Sequence, residues 1–281
     1  MKKKLEVMMT SVNVGRKKVS MKVSAELLGI KSKDPVIQKF IDEHVEFGKI
    51  NFLPKEIEKE LRTIESRIRM NHTRQAVKYN WGETKLDFMT IEVAEKFEKE
   101  IVEECKKSYF DKLNEIIKDY QNIKKDFLSA FEKFLSTNKE KKKFYDEMQS
   151  KIPVEVDYEN KFYMSFNVKK MDITDDQDVI NSFLAKAIKV IHDGAILLEK
   201  SYNKNKKIAS KTMGCIKEIK EKSNELNLTE DIKISKILEH FDKIEEYKGR
   251  GPYTFDAINS IKKDCIEVAN KLGVFDLTFL S

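Results

Sequence analysis

Six arginines stand among 54 basic residues, and four of them, Arg62, Arg67, Arg69 and Arg74, fall within thirteen residues. A guanidinium pairs bidentately with phosphate or carboxylate, and an aromatic ring stacks on a base. The stretch from Arg62 to Trp81 adds Lys78 and the single tryptophan, Trp81. Against Glu65 alone its five basic residues leave a net charge of +4. On a helix Arg62 and Arg69 share one face with Lys55 nearby, and Arg67 and Arg74, seven apart, share another. Arg16 sits beside Lys17 and Lys18 in an expected turn, and Arg250 lies between two glycines, where backbone can approach a ligand closely. The expected anion-binding surface is therefore Arg16, Lys17, Lys18, Arg62, Arg67, Arg69, Arg74, Lys78, Trp81 and Arg250, for nucleic acid or an acidic protein. The competing reading is structural. The 48 Asp and Glu supply ample partners, and arginines tied to them would hold the fold together.

Other residue types point to less. His44, His72, His192 and His240 have no partners at metal-ligand spacing, and no HExxH occurs. His192-Asp193 has the form of a phosphohydrolase HD pair, and a metal-dependent hydrolase built on it is the enzymatic alternative. Glu103-Glu104 and Asp175-Asp176 are neighbours, which on a helix do not face one another. Phosphate-loop, dinucleotide and nucleophile-elbow patterns are all missing, so neither a catalytic residue nor a cofactor is expected.

Composition bounds the rest. Charged residues make up 36% of the chain with both signs interspersed, as on solvated helix faces, and 40% apolar content supports a core. A net charge of +6 permits an acidic partner without demanding one. Cys105, Cys215 and Cys265 lie far apart, which suits a reducing compartment. With no apolar run long enough for a bilayer and no signal-peptide pattern, the expected location is cytoplasmic, away from membranes.

The elements that position these residues follow from periodicity. Leu5 to Val14 and Lys18 to Val23 read as strands joined through Asn13 to Lys17, with Gly15 in the turn. After Asp34, Pro35 opens a helix that Gly48 ends. Pro54 opens another, with Ile57, Leu61, Ile64 and Ile68 on one stripe, running on to about Tyr79. From Thr90 to about Met148 neither Pro nor Gly occurs, and the stripe from Ile91 to Phe134 predicts one very long helix, or two broken near Ser136 to Asn138. Val154, Val156 and Tyr158, then Phe162 to Val168, alternate around Glu159-Asn160 and predict a second hairpin. Thr174 and Gln177 form a capping box before the run Val179 to Leu198. Further helices follow over 208–226, 229–247 and 254–272, with Gly249 to Pro252 separating the last two and Gly273 closing the final one. The expected fold is α+β, mostly α: long antiparallel helices with a small antiparallel sheet formed from two hairpins. It is read as a single elongated domain over 1–281, or as a hairpin plus long-helix part (1–150) and a hairpin plus helical bundle part (151–281).

The order of short motifs resembles a known family. Val14-Gly15-Arg16-Lys17-Lys18, Leu28-Gly29 with Lys31, Phe52-Leu53-Pro54, Trp81-Gly82, Ile152-Pro153 and Phe162 to Val168 follow the layout of a family of phage and mobile-element proteins. Its members are often encoded beside MoxR-type AAA+ ATPases and von Willebrand A-domain proteins. The resemblance implies such a source and carries no catalytic role to any residue. The expected function is a non-enzymatic binding protein for an acidic macromolecule, most of all nucleic acid, through the arginine-rich helix. The alternative is a protein-binding inhibitor of a host defence (CRISPR-type) complex, or an adaptor for an AAA+ ATPase; the sequence leaves the oligomeric state open.

Overall fold

The computed structural model describes residues 4–16, 18–22, 35–46, 48–136, 138 and 140–273. Lys17, Val23, Asp34 and the Leu28-Gly29 and Lys31 motif lie outside the described residues. The chain is α+β and mostly α, as its periodicity predicts. Its strands are β1 (Glu6–Gly15), β2 (Ser20–Lys22), β3 (Val45–Glu46), β4 (Lys49–Asn51), β5 (Val77–Trp81), β6 (Thr84–Met89) and β7 (Tyr163–Asp172). Its helices are α1 (Pro35–His44), α2 (Lys55–Gln75), α3 (Ile91–Phe97), α4 (Glu103–Lys118), α5 (Tyr120–Phe134) and α6 (Lys141–Lys151), then α7 (Glu155–Glu159), α8 (Gln177–Asn205), α9 (Ser210–Met213), α10 (Cys215–Leu226), α11 (Ile232–Glu246) and α12 (Pro252–Lys271).

Two compact units form, and neither is one continuous segment. The first comprises Met1–Thr10, Ala76–Ala94 and Val168–Ser281, and the second Ser11–Gln75 and Glu95–Asn167. Residue 150, the expected point of subdivision, lies inside the second unit, within α6.

The strands pair differently from the two expected hairpins. One sheet has the order β5-β6-β1-β7 and a separate one the order β2-β4-β3, so β1 and β2 never pair with each other. Gly15 stands at the end of β1 and takes no turn conformation. A Cβ there would come within 2.7 Å of the Tyr163 hydroxyl, so close approach of that ring requires the glycine. The segment expected as the first arm of the second hairpin is the short helix α7. Val154 and Val156 are 63% and 65% exposed while Tyr158 is 1% exposed; a strand would place all three on one face, whereas the helical turn after Pro153 turns Tyr158 away from Val156 and into the core. Only β7 of that hairpin exists.

A hairpin that the periodicity does not predict begins where the helix is expected to run on to about Tyr79. β5 and β6 pair from Val77↔Phe88 to Trp81↔Thr84, joined by Gly82-Glu83 with Gly82 at φ 59°. The long Thr90–Met148 helix is likewise several pieces. A π-helical turn, Glu98–Val102, joins α3 to α4, Asp119 (φ −108°, ψ 10°) separates α4 from α5, and α5 ends at Phe134 beside the expected break.

In the first unit α8 is the central element. Phe183, Ala187, Ile188, Ile191, Ala195 and Leu198 form its buried stripe, packed on α10, α11 and α12. Asp176, rather than Thr174, caps it by accepting from the Val179 N–H at 3.1 Å. The Thr174 hydroxyl is turned to Asp172 and to the Leu5 N–H instead. In the second unit the aromatic stripe of α5 is core: Phe127, Phe131 and Phe134 pack with Phe40 of α1. Among the described residues no helix is long and apolar enough to cross a membrane.

Candidate nucleic-acid interface

The arginine-rich helix is α2, and its charges are largely answered from within the second unit. Arg16 has a side chain only 1% exposed. Its Nη2 donates to Glu58 Oε2 at 2.7 Å, and its Nη1 donates to Glu65. The Tyr109 hydroxyl lies 2.9 Å from the Gly15 carbonyl and 3.3 Å from the same Glu65 oxygen. Burial opposes the charge on Arg16, but the two carboxylates outweigh it and hold the guanidinium protonated above its ordinary range. Burial, joined by the charge of Glu65, keeps the Tyr109 hydroxyl far above the usual phenol value.

The other arginines divide. Arg62 grips Glu46 with both terminal nitrogens, one at 3.3 Å, and Arg67 grips Glu104 at 2.7 and 2.8 Å. These hydrogen bonds hold both carboxyls below the usual range, the mark of a pair already formed. Arg69 donates to the Val14 carbonyl. Arg74 is exposed and has no ion pair among the described residues. A shallow groove along α2, lined by Lys55, Lys59, Arg62, Arg67, Met70 and Arg74, is what remains of the expected surface there. Lys18 is exposed in the same unit. Lys78 and Trp81 fall on β5 in the first unit, Lys78 exposed and Trp81 58% exposed with its ring edge-on to Tyr79 at 6.4 Å.

Arg250 heads a stronger cluster, wholly within the first unit. The Ile208 N–H donates to the Gly249 carbonyl at 2.9 Å, and Lys207 and Arg250 form an isolated antiparallel bridge. Two loops are thereby joined: one carries Lys206 and Lys207, with Lys204 in the last turn of α8 before it and Lys211 in α9 after it, and the other carries Lys248 and Arg250, all six exposed. Neither 203–211 nor 247–253 contains a carboxylate. The six cations thus equal the +6 net charge of the whole chain. Among the described residues none of them is in a salt bridge, although Lys206 Nζ lies 5.9 Å from the Tyr202 ring centroid. The flanking Glu245 is drawn off toward Lys220 at 3.5 Å, which leaves Glu246 and Asp256 as the nearest acids in sequence. Sequence reasoning found Arg250 here and missed the lysines. Single lysines in a chain with 48 of them carry no signal until the bridge sets two loops side by side.

His192 and Asp193 go opposite ways. His192 is 1% exposed in the core of the first unit, whereas the Asp193 side chain is 56% exposed and lies 3.8 Å from Lys189. Among the described residues no group of three or more His, Cys, Asp or Glu is placed to hold a metal. Neither ring nitrogen of His192 has a partner in the structure. Burial, with only Asp193 and Glu199 favouring the charge against Lys262 and Lys189, lowers its pKa from 6.5. The unfolded chain therefore binds this proton more tightly, and stability is lost as pH falls below about 6.5. His192→Leu removes that loss and, by deleting unpaired buried nitrogens, is expected to stabilise the neutral protein by ~1 kcal/mol. Chemical unfolding at neutral and mildly acidic pH checks it; a variant with the wild-type acid dependence contradicts the assignment. His44, also shifted downward by burial, retains its own share of the acid response.

No family model, curated protein sequence or solved structure matches the chain.

Proposed function

We propose that this chain is a non-enzymatic binding protein whose partner is nucleic acid. Its contact surface is the basic end of the first unit around Arg250, and α2 is chiefly a structural helix. One observation carries the reading: six exposed cations, Lys204, Lys206, Lys207, Lys211, Lys248 and Arg250, stand on or directly beside two bridged loops, in segments 203–211 and 247–253 that hold no carboxylate. Such a surface releases counterions when phosphates replace them, which gives affinity without sequence preference. The arginines of α2 offer less, because Arg62 and Arg67 would first have to give up Glu46 and Glu104. A phage or mobile-element source, implied by the motif resemblance, belongs to the same proposal.

The first test is the ultraviolet spectrum of the protein purified from cells at low salt, before and after nuclease. A nucleic-acid contribution that nuclease removes is expected, and it should be lost in a Lys207→Ala, Lys248→Ala, Arg250→Ala variant. A clean protein spectrum, together with no binding of added oligonucleotide at low salt, contradicts the reading.

A further inference from the structure

We infer that the surface around Arg250 selects single-stranded over duplex nucleic acid, with Tyr247 and Tyr253 as a stacking platform for bases. The inference rests on the nucleic-acid reading above and adds the form of the partner.

The two rings stack on each other with centroids 5.5 Å apart and planes 26° apart, yet they remain 40% and 65% exposed. They flank the loop that carries Lys248 and Arg250, so cations and aromatic faces share one short segment. Positive φ at Lys248 (51°), Gly249 (63°) and Gly251 (76°) turns the chain back so that the rings meet. A Cβ on Gly249 would approach Ile208 Cβ and Met213 Sδ to 2.9 Å, so the glycine lets this loop close on its neighbour.

The loop is also fixed from beneath. The Tyr202 hydroxyl donates to the Gly251 carbonyl at 2.9 Å, and its ring stacks on Phe255 at 5.6 Å. The Thr254 hydroxyl donates to the Arg250 carbonyl at 2.7 Å. A platform held in this way loses little conformational freedom on binding.

Duplex DNA or RNA hides its base faces in its own stack and presents mainly phosphates to such a surface. A single strand offers phosphates to Lys206, Lys207, Lys248 and Arg250 and unstacked bases to the tyrosines together. One base stacked on an aromatic ring is worth roughly tenfold in affinity.

The test uses the full chain and fluorescence anisotropy with a labelled oligothymidylate and a labelled duplex of equal length, at matched salt. The single strand is expected to bind roughly tenfold more tightly. Tyr247→Ala with Tyr253→Ala should abolish most of that preference and leave duplex binding unchanged. Tyr247→Phe with Tyr253→Phe should retain it, and Tyr253→Ala alone, at the more exposed ring, guards against a folding defect. Equal affinity of the wild type for the two probes overturns the inference while leaving the nucleic-acid reading intact. A single-strand preference indifferent to both alanine variants does the same. No binding of either probe overturns both.

Discussion

Arg16→Met is expected to lower the unfolding free energy by ~3–5 kcal/mol, a large share of the total for a domain of this size. The arginine side chain is 1% exposed and its partners Glu58 and Glu65 are 8% and 12% exposed. Among the described residues, deletion leaves Glu65 with no cation and Glu58 with only the longer contact to Arg62 at 3.7 Å, both largely away from water. The Tyr109 hydroxyl, bonded into the same group, gives neither a positive charge. The loss belongs to the abandoned partners more than to the pair itself, since a buried ion pair gains little over an apolar substitute. Adding Glu58→Gln and Glu65→Gln to Arg16→Met should therefore recover much of the stability. Denaturant unfolding of the single and triple variants decides it; a single variant within experimental error of wild type contradicts the network. Arg67→Ala provides the contrast. Its side chain and that of Glu104 are 46% and 54% exposed, and little change in stability is expected.

Phe131→Ala is expected to cost ~3–5 kcal/mol, the usual range for an aromatic removed from a packed core. Phe131 is 0% exposed, and its ring lies among Phe40 and Phe127, both at 5.8 Å, Phe134 at 6.2 Å and Tyr145 at 6.5 Å. Those rings come from α1, α5 and α6, so the cavity would weaken the packing of α5 on α1 and on α6 together. Phe131→Leu, which leaves a smaller void, should cost markedly less. Thermal and denaturant unfolding read both, and equal small effects would place Phe131 outside the core.

Much of this architecture is legible in the residues, and its failures share a cause. Helices with an uninterrupted apolar stripe, such as Val179 to Leu198 in α8, follow from local spacing alone. So does the closing role of Gly273, which has φ 70°. Strand partners do not, because pairing is a long-range choice. β1 reads as a strand, yet it joins β6 through Met8↔Met89 and leaves β2 to β4. The stripe Ile57, Leu61, Ile64 and Ile68 predicts a helix running on to about Tyr79, whereas the helix ends at Gln75. The signal that corrects it is the alternation of Val77, Tyr79 and Trp81 before Gly82. The candidate site was legible in kind rather than in place. Arginine clustering drew attention to α2, where Glu46 and Glu104 answer Arg62 and Arg67 from 16 and 37 residues away in sequence, while Glu58 and Glu65 of α2 itself answer Arg16, 42 and 49 residues before them. The cluster at Arg250 depends on a bridge between loops some forty residues apart, which spacing does not reveal.

The proposed nucleic-acid surface is the cluster around Arg250 in the first unit and not α2. Its most direct test is the salt dependence of oligothymidylate binding by three proteins: wild type, Lys207→Ala/Lys248→Ala/Arg250→Ala, and Arg67→Ala/Arg74→Ala. For a single strand each lost phosphate contact flattens the log–log slope by ~0.7, so the first variant should lose ~2 from the slope along with most of its low-salt affinity. The α2 variant should keep both. The opposite pattern, a flattened slope for Arg67→Ala/Arg74→Ala and an unchanged one for the loop variant, would return the interface to the arginine helix and rule out the Arg250 cluster.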